Sequence, residues 1–167
     1  MSLKNQKCLK VMRKIFYHYF RLKIFVYKNI LSTNQIQGEP KISQPTLFLG
    51  QGKISIANSV FLGIEPSPFL YSTYTHIEAR NPSSSIKIKE NTYTNNNATI
   101  ISEGASITIG KNCLIGANFT CFDSDFHQLE PTLRLSAGTP KNVFIDDNVF
   151  IGSNVMILKG VSIGKNV

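Results

Sequence analysis

From residue 54 onward the chain repeats itself, and in its last third the repeat is six residues long: Ile145-Asp-Asp-Asn-Val-Phe, Ile151-Gly-Ser-Asn-Val-Met, Ile157-Leu-Lys-Gly-Val-Ser and Ile163-Gly-Lys-Asn-Val. The same step joins Ile109, Ile115 and Cys121, and joins Ile88, Thr94 and Ile100. A period of six is too short for a helical hairpin repeat and matches neither the 3.6 of a helix nor plain alternation. It fits a short strand followed by a tight turn. The residue that opens each unit and the small one two places before the next opener share parity, so both point to one side of an extended strand. Gly, Asp and Asn at the positions between supply the backbone conformations a corner needs. Three such strands and three corners close a triangular coil of about eighteen residues, and successive coils stack as parallel strands around a narrow aliphatic interior. Cys113 falls at the small inward position and Cys121 at an opener, so both read as core side chains.

The rest of the composition sets boundaries around this repeat. With 167 residues, 42% of them hydrophobic, the chain makes one domain. Its net charge of +8 is lopsided. Residues 1–30 carry Lys4, Lys7, Lys10, Arg13, Lys14, Arg21, Lys23 and Lys28 and no acid, and the remainder balances. In this basic segment the cations interrupt every apolar run well short of the roughly 18 residues of a spanning helix. A helix there places Cys8, Val11, Ile15, Leu22 and Phe25 or Val26 on one side. It could pack on the body or a neighbouring subunit, or lie on an anionic lipid surface as a peripheral membrane contact. No recognition motif for nucleic acid accompanies the charge. No uninterrupted signal-peptide core precedes a small-residue cleavage site, and the odd cysteine count lacks CxxC spacing. Both observations point to the cytoplasm, with the inner face of the membrane as an alternative, and against structural zinc. The expected division is a basic amphipathic segment over 1–30, a linker and entry to the first coil over 31–53, and stacked coils over 54–167.

Departures from the six-residue step mark excursions. An irregular stretch between Leu62 and Ile88 holds Pro66, Pro68 and Pro82, and a weaker slip lies between Ile100 and Ile109. The large excursion follows Cys121-Phe-Asp-Ser-Asp-Phe-His127 and spans about residues 127–143, before Ile145 resumes the register. A polar, Pro- and Gly-bearing loop on a rigid scaffold is a usual place for function. His127 opens it.

The units quoted above resemble those of the hexapeptide-repeat acyltransferases, which fold as single-stranded left-handed parallel β-helices and assemble as trimers. Within that family the chain is most similar to sugar O-acetyltransferases of the galactoside and maltose type, and to those acting on surface polysaccharide. The resemblance implies an all-β, left-handed β-helix and a homotrimer with sites between subunits. It also implies acetyl-CoA as acyl donor and a sugar or polysaccharide precursor as acceptor. A histidine opening such a loop is the family's general base, which falls on His127. The stretch Tyr93-Thr-Asn-Asn-Asn-Ala-Thr-Ile100 resembles the one that presents an acceptor-contacting asparagine, which falls on Asn95 with Asn97 as second choice. The turn Phe150-Ile-Gly-Ser153 lies near the thioester by the same likeness, making Phe150 and Ser153 coenzyme contacts and Ser153 a candidate oxyanion donor.

The chemistry asks for these residue types independently. Acetyl transfer from a thioester to a hydroxyl needs a base as the oxygen attacks, and imidazole, with an ordinary pKa of about 6.5, is largely neutral at cell pH. Its second nitrogen needs an orienting partner, either Asp125 or a backbone carbonyl of the loop. Arg134 offers a fork of donors to an acceptor hydroxyl or a coenzyme phosphate, or simply faces solvent. Other readings stand beside these. His127 could be a solvated loop residue, or gather a metal with Asp123 and Asp125. Asn95, Asn96 and Asn97 could be ladder or turn material. His76, beside Glu78 and Arg80, reads as structural. The sequence stops at Val167, at the fifth residue of a hexapeptide, where family members continue into a further coil and cap. A non-catalytic β-helical scaffold is therefore an alternative, as is N-acetylation of an amino sugar.

Overall fold

A computed structural model describes residues 3–167, with side chains from residue 6 onward; Lys4 of the basic segment is thus outside the described side chains. Helix α1 (Leu3–Val26) runs into one wider π-helical turn at Tyr27–Leu31. The chain then winds through five coils of three strands each. The first holds β1 (Lys41–Ile42), β2 (Thr46–Leu49) and β3 (Lys53–Ile56), and the second β4 (Phe61–Leu62), β5 (Thr75–Ala79) and β6 (Ser85–Ile88). The third holds β7 (Tyr93–Thr94), β8 (Thr99–Ser102) and β9 (Ser106–Ile109). The fourth holds β10 (Leu114–Ile115), β11 (Thr120–Phe122) and β12 (Val143–Ile145), and the fifth β13 (Phe150–Ile151), β14 (Met156–Ile157) and β15 (Ser162–Ile163).

Each strand pairs in parallel with its counterparts one coil above and below, giving three five-stranded sheets that form the faces of a triangular prism. This is the left-handed parallel β-helix. The first face carries β1, β4, β7, β10 and β13; the second β2, β5, β8, β11 and β14; the third β3, β6, β9, β12 and β15. Register keeps like above like: Phe48, Ile77, Ile100, Cys121 and Ile157 form one inward column, and Ile56, Ile88, Ile109, Ile145 and Ile163 another. The core is these stacked columns, most of them without solvent contact.

The coils begin at Lys41, earlier than the boundary at residue 54 read from the sequence. Ile42, Phe48 and Ile54 are themselves six apart, but Gln44, Pro45 and Thr46 stand where a hexapeptide shows small and turn residues, which disguised the first coil. The corners explain the asparagines. Asn97, Asn118 and Asn154 adopt φ of 63°, 59° and 60°, a left-handed conformation that asparagine tolerates better than most residues. Their side chains stack into a ladder, Asn97 Nδ2 donating to Asn118 Oδ1 at 2.8 Å and Asn118 Nδ2 to Asn154 Oδ1 at 2.9 Å. Packing at this corner is close. A Cβ on Gly116 would lie 2.5 Å from the Ser153 backbone nitrogen.

Two excursions leave the prism. Residues 63–74, between β4 and β5, are pinned by two buried amides. Asn96 Nδ2 donates to the carbonyls of Ile64 and Pro68, and Gln44 Nε2 to that of Phe69. Leu70 from this excursion forms a small apolar cluster with Phe20 and Ile24 of α1, which seats the helix on the prism. The second excursion carries the candidate site.

Candidate active site

Register defines the second excursion. Phe122 pairs with Ile101 and Val143 with Ile107, so residues 124–141 replace the corner Glu103-Gly104-Ala105 of the coil below. Asp123 holds its root. Its buried carboxylate accepts hydrogen bonds from Ser102 Oγ at 2.7 Å, Glu103 N at 2.6 Å and Ala105 N at 2.8 Å. Asp123 is thereby committed inward, away from a shared ligand set with Asp125 and His127. Among the described residues no group of three or more His, Cys, Asp or Glu side chains could hold a metal ion.

Beyond Asp123 the chain makes a sharp turn. Phe126 takes φ of 60° and its N–H donates to Ser124 Oγ, while the His127 N–H donates to the Asp125 carbonyl at 2.7 Å. A left-handed backbone at a bulky residue persists only where its surroundings fix it. Here the Phe126 ring meets Phe122 edge-on at 5.1 Å between centroids, and Arg80 lies over it at 5.1 Å. The result turns the His127 side chain outward.

His127 Nδ1 lies 2.8 Å from the Arg134 carbonyl oxygen. A carbonyl only accepts, so Nδ1 carries the proton and Nε2 of the neutral ring keeps its lone pair. That nitrogen is the one available as a base. Of the two orienting partners open from the sequence, the backbone carbonyl is therefore the one used. Asp125 is corrected accordingly: its carboxylate pairs with Lys159 Nζ from the corner above, which fastens the loop. His127, Asp125, Gln128, Leu129, Arg134 and Leu135 surround a shallow recess of about 540 Å³. Arg134 lines it and lends Nη2 to the Leu129 carbonyl at 3.3 Å.

The other sequence candidates lie elsewhere. Asn95 sits half-buried at the corner between the first and second faces, its Oδ1 accepting from Asn96 N at 2.7 Å. Asn97 is a corner residue: its Nδ2 donates into the ladder, and its N–H donates to Gln44 Oε1 at 2.8 Å. Ser153, at that same corner two coils on, has its Oγ accepting from Ala117 N at 3.2 Å, and Phe150 projects from the first face. Within one chain, Asn95, Phe150 and Ser153 are thus separated from His127 and Arg134 by the width of the second face.

Sequence reasoning missed Arg80 and Lys159, which hold the base of the loop. The signal for Arg80 was legible, since His76, Glu78 and Arg80 alternate onto one outward face of β5. His76 Nε2 lies 3.1 Å from Glu78 Oε2, and Arg80 bonds both Glu78 and Glu103. The Arg80 guanidinium, with a smaller contribution from His76, holds the Glu78 carboxyl below its ordinary value. Lys159 carried no sequence signal.

Residues 106–121 and 142–167 match the family model described as the hexapeptide repeat of succinyl-transferase. These residues carry the hexapeptide repeat. The match is confined to those residues and supports a relationship to the hexapeptide-repeat acyltransferases. Comparison with curated proteins and with solved structures returned no match.

Proposed function

We propose that this hexapeptide-repeat chain transfers an acetyl group from acetyl-CoA to a hydroxyl of a sugar or surface polysaccharide precursor, with His127 as general base. The observation that carries the reading is the 2.8 Å contact from His127 Nδ1 to the Arg134 carbonyl, which puts the proton of the neutral ring on Nδ1 and its lone pair on Nε2. In the step, Nε2 takes the proton of the attacking hydroxyl as its oxygen bonds to the thioester carbon. The tetrahedral adduct collapses with cleavage of the carbon–sulfur bond, and the imidazolium returns the proton to the leaving thiolate, giving the ester and coenzyme A thiol. No covalent enzyme intermediate is needed, because holding both substrates together supplies the rate gain through positioning.

A homotrimer completes this site. Asn95, Phe150 and Ser153 lie one face away from His127, and a neighbouring prism would bring its own copies to the loop. Leu129 is 91% exposed and Leu135 98% exposed on either side of the recess, the state of apolar side chains awaiting a partner surface. In this arrangement Phe150 packs on the pantetheine arm and the Ser153 hydroxyl donates to the oxyanion. Arg134 binds an acceptor hydroxyl or a coenzyme phosphate, and Asn95 contacts the acceptor.

Thiol release from acetyl-CoA in the presence of a panel of simple glycosides tests the reading. His127→Ala is expected to lower the rate by about 10²–10⁴-fold, the usual contribution of a positioned base. Background release by both proteins would remove the enzyme reading, and wild-type release by the variant would remove the base assignment.

A further inference from the structure

Helix α1 touches the prism along one narrow stripe. Phe20 and Ile24 are buried against Leu70, and the rings of Phe16 and Phe20 meet Tyr71 edge-on at centroid distances of 5.1 and 5.0 Å. At about 100° per residue, Val11, Ile15, Tyr19 and Leu22 fall on the far side of the helix from that stripe. They are 56%, 64%, 60% and 59% exposed. A row of large apolar side chains facing away from the prism is not the arrangement of a helix that merely packs on its own domain. Between the two faces, Lys7, Lys10, Lys14 and Arg21 form one continuous flank, all exposed. No acidic residue precedes Glu39.

We propose that α1 docks this chain onto an anionic lipid surface, lying flat with Val11, Ile15 and Leu22 in the headgroup and acyl boundary and its cationic flank against lipid phosphates. The pattern is that of an interfacial helix: a broad apolar face, a basic border and aromatic side chains at the boundary. No helix is long and apolar enough to cross the membrane, so the contact is peripheral. Charge selects this occupant over the alternatives. A second copy of the helix would set cation against cation, and nucleic acid would satisfy the basic flank while leaving the apolar face in water.

Flotation of the full chain with vesicles provides the test, using phosphatidylcholine alone and phosphatidylcholine in which a third of the lipid is phosphatidylglycerol. The chain is expected to float with the anionic vesicles only, and to be released at 1 M salt, where the screening length falls to about 3 Å. Ile15→Glu with Leu22→Glu abolishes flotation. Neutralising Lys10, Lys14 and Arg21 to Gln together weakens it on the order of a hundredfold. All five positions are exposed, so thermal melting and thiol release toward a soluble glycoside stay at wild-type values, which separates this result from any failure of the catalytic reading. Equal partition to neutral and anionic vesicles overturns the proposal, as does retention by the Ile15, Leu22 variant. A doubled mass in solution that the same variant reverses would show the face to be a self-association seam, and would also overturn it.

Discussion

Individual side chains in this prism sit in sharply different positions although the backbone repeats. Thr94 occupies an inward site between Leu62 and Ile115, and its buried hydroxyl has no hydrogen-bond partner among the described residues. Burying a hydroxyl without a partner costs about 1–3 kcal/mol. Thr94→Val keeps the shape and removes the orphan group, so the melting temperature should rise by about 2–4 °C for each kcal/mol recovered, measured by circular dichroism. An unchanged or lowered value would mean that the hydroxyl is satisfied. Cys121 illustrates the opposite case of a reactive group made inert. Burial, with the Asp123 carboxylate adding to it, pushes its thiol up to about 12, which leaves it neutral at cell pH and fit for a column of aliphatic neighbours.

Corners, more than strands, distinguish one coil from the next. Asp123 closes the corner of the coil below it by collecting three backbone N–H groups, that of Gly104 at 3.5 Å, and one hydroxyl. Asp123→Ala leaves these donors facing a gap and should cost about 3 kcal/mol, read as a lowered urea midpoint, while Asp123→Asn keeps one acceptor and recovers part. Equal midpoints for wild type and alanine variant would show the corner to be held by packing alone. The strands themselves were legible, because Ile145, Ile151, Ile157 and Ile163 announce their spacing without reference to anything distant. The corners were legible as turns, yet their partners were not. Asn97 and Asp125 both look available in one dimension, and the residues that occupy them, Asn118 and Lys159, are supplied by the neighbouring coil. Stacking converts a local reading into a lateral one. The strands of the first coil were hidden for a related reason, since Gln44 and Thr46 are polar in sequence yet buried: the Gln44 amide donates to the Phe69 carbonyl of the excursion above, and the Thr46 hydroxyl donates to the Gln44 carbonyl.

Seen whole, the molecule is a straight column with an arm at one edge, and the two are separable. The N–H of Lys141 donates to the Asp123 carbonyl at 2.8 Å, so the excursion leaves and returns through a closed neck. Replacing residues 124–141 by the Glu-Gly-Ala corner of the coil below should therefore leave cooperative thermal unfolding within a few degrees of wild type while abolishing thiol release. Collapse of the melting transition would show that the arm braces the column. A neck of this kind has a consequence for how such a chain can diverge. Lengthening, shortening or rewriting the arm leaves every rung in place, whereas a one-residue slip within a rung displaces all those beyond it. A new specificity is thus reached most readily by trading arms on an unaltered mast.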